Sequence, residues 1–85
     1  MNLYLVRQSV NKNYDTFDSF VCSAENEEQA RNMQPCIYNY AFDEKRTEYM
    51  DGFWCDPIHV KVKYIGIADK SILEVGIIVS SFNAG

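Results

Sequence analysis

The segment from Tyr14 to Arg31, Tyr-Asp-Thr-Phe-Asp-Ser-Phe-Val-Cys-Ser-Ala-Glu-Asn-Glu-Glu-Gln-Ala-Arg, constrains this chain more than any other. It holds a polar turn, a half-buried strand and the start of a capped helix in one short block, and so it sets the fold class. In a strand over about Phe17 to Ser23, Phe20 and Cys22 fall on one face, with Ser19, Val21 and Ser23 on the other. The helix signal follows at once. Asn26 is suited to cap it, Gln29 stands three residues on to return the hydrogen bond, and Glu27 and Glu28 occupy the positive first turn. Ala30 and Met33 supply a narrow apolar stripe, and Pro35 keeps the helix short.

The rest of the chain reads mostly as strands. Residues Asn2 to Arg7 are apolar on both faces, Leu3 and Leu5 against Tyr4 and Val6. That pattern suits an interior strand, or an edge that another chain covers. Asn11 to Asp15 has turn chemistry. Ile58, Val60, Val62 and Tyr64 alternate with His59, Lys61 and Lys63, which predicts a strand from Ile58 to Ile65 with one face on the core. Ala68 to Ser71 is a turn. Leu73 to Phe82 is apolar on both faces around Ile77 and Ile78, which predicts a central strand. Cys36 to Pro57 forms an insert that fits either a hairpin tipped by Asp43 to Arg46 or a short helix through Glu44 to Met50. The expectation is a single α+β domain over residues 1–85, a small antiparallel sheet of about four strands with one short helix, in the order β-β-α-insert-β-β.

A chain of 85 residues buries a smaller share of its surface than a large one, yet 47% of this one is hydrophobic and 14% aromatic. Either the rings all pack inside, or some lie exposed as a binding surface or are covered by a second copy; self-association stays open on equal terms with internal packing. The formal net charge of -4 argues against a nucleic-acid backbone as partner, because phosphate contacts need clustered Lys and Arg. The start Met1-Asn-Leu-Tyr-Leu-Val-Arg turns polar at once and does not read as a secretory leader. No apolar run is long enough to span a membrane. With three widely spaced cysteines, the expectation is a reduced, cytoplasmic protein.

Catalytic constellations are weak. Cys22, Cys36, Cys55 and His59 could ligate zinc, but only Cys55 and His59 are close and Pro57 lies between them; buried structural cysteines are the commoner case. His59 is the one base available to a cysteine nucleophile, and it falls on the solvent side of its predicted strand. The carboxylate pairs at Asp15 and Asp18, Asp43 and Glu44, and Asp51 and Asp56 sit in turn-like sequence, where capping is the usual role. No glycine-rich phosphate loop occurs. The expectation is therefore a protein without enzymatic activity, cofactor or metal. One constellation rises above background: the rings of Tyr38, Tyr40, Phe42, Tyr49, Phe53 and Trp54, with Lys45, Arg46 or the Lys61–Lys63 face nearby. Tyr38, Tyr40, Arg46, Tyr49, Phe53 and Trp54 are the candidate binding residues, for a base and its phosphate or for a protein hot spot.

Tyr14 to Ser19, Val21 to Arg31 and Ser81 to Gly85 together resemble a group of small bacteriophage and prophage proteins. These share a Tyr-Asp-Thr-aromatic-Asp-Ser start, an Ala-Glu-x-Glu-Glu-x-Ala-Arg segment and a Ser-Phe-Asn-Ala-Gly-like ending. The resemblance covers both ends of the chain, hardly touches Cys36 to Phe53, and brings no reaction with it. What it implies is a protein acting by occupancy in host–virus conflict. The leading expectation is stoichiometric inhibition of a host defence or transcription protein with a basic surface, met by Glu27, Glu28, Asp43, Glu44 and the aromatics. The alternatives are sequestration of a small nucleotide-type immune signal at a subunit interface and a minor virion or assembly role.

Overall fold

The computed structural model describes residues 1–12, 16–35 and 54–83. Its frame is a four-stranded antiparallel sheet with one short helix and a 3-10 turn, so sheet dominates and helix is minor. Strand β1 (Asn2–Arg7) pairs with β2 (Thr16–Ala24) on one side and with β3 (Lys61–Ile67) on the other; β4 (Gly76–Asn83) pairs with β2. The order across the sheet is β3-β1-β2-β4. The doubly apolar first strand is interior, the first of the two positions its pattern allows.

Helix α1 (Glu27–Arg31) forms for the reasons visible in its sequence. The Asn26 side chain accepts from the Gln29 amide at 2.8 Å. Gln29 returns the bond one residue earlier than a regular capping box, its Oε1 accepting from the Glu25 amide at 2.7 Å. Ala30 and Met33 are fully buried and dock the helix on the sheet. Arg31 then ties the helix to the chain before β3, donating to the Val60 carbonyl at 2.9 Å.

One face of the sheet carries the core. Tyr4, Val6, Phe20 and Cys22 point into it and meet Ala30, Met33, Trp54, Cys55 and Val60. Phe20 and Trp54 pack ring to ring at 5.2 Å. Burying side chains of this size is worth roughly 1.5–3 kcal/mol each. The buried Gln8 clips the turn after β1: its amide group donates to the carbonyls of Asn11 at 2.7 Å and Phe17 at 2.8 Å, and its oxygen accepts from two backbone amides.

Two strand expectations need correction. Residues Pro57–His59 form the 3-10 turn instead of starting a strand, and Ile58 is 80% exposed. Proline at the head of the turn presets its φ and has no amide to give a ladder. The last strand lies at an edge and not centrally, and begins at Gly76, leaving Leu73 82% exposed. Residues 68–75 carry the chain from the β3 edge to the β4 edge. They are held where Ala68 donates its amide to the Met1 carbonyl and Ser23 its hydroxyl to the Glu74 carbonyl. The predicted turn within them is real, with the Asp69 carboxylate accepting from the Ser71 amide at 2.8 Å. That bond holds the Asp69 carboxyl below its ordinary range. The hairpin or helix expected within residues 36–53 lies outside the described residues.

Candidate functional site

The opposite face of the sheet is the notable surface. Directly opposed residues of antiparallel strands share a face, so the register defines three rows across it. Lys61, Arg7, Ser19 and Ser81 form the first row, and Lys63, Leu5, Val21 and Val79 the second; Gly66, Leu3, Ser23 and Gly76 form the third. Ile65 and Ile78 are the extra residues at two irregularities in the register. Their chain neighbours Tyr64 and Ile77 oppose the core-side residues Tyr4 and Cys22, so alternation turns both isoleucines to the open face. Gly66, beside Ile65, has φ of 152°, a conformation that side chains rarely adopt.

No described helix packs on this face. Ile65, Ile78 and Val79 are 45%, 49% and 59% exposed, while Leu3, Leu5 and Val21 are half-buried between them. An apolar band thus crosses the sheet in the open. Ser23 is the exception, buried where residues 68–75 close over the end of β2.

The first row differs in chemistry. At this end of the sheet a shallow cavity of about 320 Å³ is lined by Arg7, Gln8, Ser9, Asp18, Ser19, His59 and Lys61. Asp18 accepts the Ser19 hydroxyl at 2.9 Å. Among the described residues the one ion pair is Arg31 with Glu27, on the helix, so neither Arg7 nor Lys61 has a carboxylate partner there. The acidic side chains Glu25, Glu27 and Glu28 are exposed around α1. Acidic side chains thus outnumber Arg31 around the helix, while Arg7 and Lys61 outnumber Asp18 at the first row.

Of the candidate binding residues, Trp54 is 3% exposed and belongs to the core, where its indole nitrogen has no hydrogen-bond partner. In the isolated chain its ring offers no surface for stacking. Tyr38, Tyr40, Arg46, Tyr49 and Phe53 lie outside the described residues, as does Cys36. Cys22 and Cys55 are free and buried. Burial pushes the Cys22 thiol up to about 11, and burial, with Asp56 adding to it, raises that of Cys55. Both thiols are thereby held in the protonated, unreactive form. His59 is exposed at the cavity while Cys55 is inside. Among the described residues no three His, Cys, Asp or Glu side chains gather as a metal site, and no helix is long and apolar enough to cross a membrane.

Sequence reading had singled out the Lys61–Lys63 face but not its partner Arg7. The signal exists in the alternation of β3 and in the Arg that ends β1. Joining them needs the register between strands far apart in the chain.

No protein-family model matches the chain, and no match to it was found among the curated proteins or the solved structures. The segments that carry the phage-protein resemblance are nonetheless neighbours in space. Thr16, Phe17 and Ser19 pair with Asn83, Phe82 and Ser81, and the rings of Phe17 and Phe82 lie 4.9 Å apart.

Proposed function

We propose that the protein is a non-catalytic binding protein of bacteriophage or prophage origin, acting by stoichiometric occupancy of a host defence or transcription protein. The observation that carries the reading is the uncovered apolar band of Leu3, Leu5, Val21, Ile65, Ile78 and Val79. Contiguous exposed apolar surface on a small domain is what a protein interface uses. The phage setting comes from the resemblance, and described residues of its first and last segments pair in the sheet. A basic partner surface would meet Glu25, Glu27 and Glu28 around the helix.

The test is a titration against the inhibited host activity. Inhibition should saturate at one protein per target and vanish in the double variant Ile78→Lys, Val79→Lys, whose fold is checked by circular dichroism. Full inhibition far below equivalence, or an unaffected double variant, would overturn it. A second reading, sequestration of a small nucleotide-type signal between subunits, draws on the basic end of the same face.

A further inference from the structure

We propose that the cavity at the end of the open face is a binding site for a phosphate-bearing small molecule, held between Arg7 and Lys61. The first observation is convergence: Arg7, Lys61, Ser9, Ser19 and His59 line one concavity of about 320 Å³. That is the lower end of the range for small-ligand sites. The second is a conflict built into the sheet. Arg7 and Lys61 are directly opposed across β1 and β3, and like charges in that position destabilise a sheet. Lys63, opposite Leu5, adds a third cation one row on. A protein of net charge -4 has carboxylates to spare, yet among the described residues none is ion-paired with either cation. Asp18 also lines the cavity and accepts the Ser19 hydroxyl, which leaves Ser9 as the serine donor for a ligand.

A bound phosphate would relieve the repulsion. Its several oxygens can accept from the Arg7 fork, the Lys61 ammonium and a serine hydroxyl at once, where a carboxylate has only two. Gln8 lines the cavity but its side chain is spent on three bonds to the turn and one to the Phe17 carbonyl in β2. The site would serve the nucleotide reading, and its failure leaves the host-protein reading standing, since that rests on the apolar band.

The experiment titrates the full chain at low salt with pyrophosphate, and with acetate as a carboxylate probe, by calorimetry and amide NMR. Pyrophosphate should bind saturably, shifting the amides of Arg7, Ser9, Ser19 and Lys61. Arg7→Gln and Lys61→Gln should each weaken it at least about tenfold, and Lys70→Gln should not. Without ligand, either of the first two variants should raise the melting temperature by about 1–4 °C as the repulsion goes. No saturable binding, equal loss in Lys70→Gln, or a lowered melting temperature in both corner variants would each overturn the proposal. Acetate binding as tightly as pyrophosphate would overturn the phosphate class.

Discussion

The two faces of the sheet are built from the same strands and both carry apolar side chains, but they differ in what packs on them. On one, Tyr4, Val6, Phe20 and Cys22 lie under α1 and the segment from Trp54 to Val60. On the other, Leu5, Val21 and Val79 form a row across the sheet that no described helix reaches. Alternation along a strand says which residues can be buried together; it does not say that both sets will be. Among the described residues the one α-helix, five residues long, packs on the first of these faces. The second face stays exposed at Ile65, Ile78 and Val79, and at its polar end Arg7 stands directly opposite Lys61.

The sharpest way to break this comparison is to make matched truncations on the two faces. Phe20→Ala removes a ring that is 1% exposed and packed on Trp54. It should cost about 3–5 kcal/mol, a large part of the roughly 5–15 kcal/mol expected of a whole domain. A urea titration followed by Trp54 fluorescence would show a collapsed midpoint. A near-normal midpoint would mean that the covered face is not the core.

A second effect is confined to alkaline pH and tests how dry the covered face is. The Cys22 thiol titrates at about 11 in the fold, above its ordinary value of 9.0, because burial disfavours the thiolate. Its contribution to stability is therefore fully present below pH 9. It is lost as the pH rises towards 11, where the unfolded chain sheds the proton and the folded chain keeps it. Denaturation midpoints measured across that window should fall, and fall less steeply in Cys22→Ala. Parallel slopes would mean the thiol is not sealed.

The smallest expected effect lies on the open face. Val79→Ser, at a position 59% exposed, should shift stability by no more than about 0.5 kcal/mol. A loss several times larger, read from the same urea titration, would show that something already covers this face in the free protein.

The sequence was most legible where the determining contacts are local. The cap at Asn26, the buried stripe of Ala30 and Met33, and the core side of Phe20 and Cys22 all stand as their spacing predicts. Reading failed where one pattern had two physical meanings. Leu73 to Phe82, apolar on both faces, suits a central strand, but here the same pattern lies at an edge with Ile78 and Val79 exposed. The Ile58 to Val60 alternation was continuous with a strand until Pro57 turned it into a 3-10 turn. Trp54, a candidate binding residue for which internal packing was equally open, lies in the core.

What the sequence by itself determined is therefore the set of elements: a first strand apolar on both faces, a second strand with Phe20 and Cys22 on one face, a short capped helix, and an α+β class with a small antiparallel sheet. Caps, turns and alternation act within a few residues, so the chain carries them wherever it is cut. Only the tertiary structure decided the order β3-β1-β2-β4, the edge position of β4, the face left open, and the meeting of Arg7 with Lys61. Those depend on which strands pair over long stretches of chain and on which side the single helix lands. A one-residue change of register would send every one of these side chains to the other face.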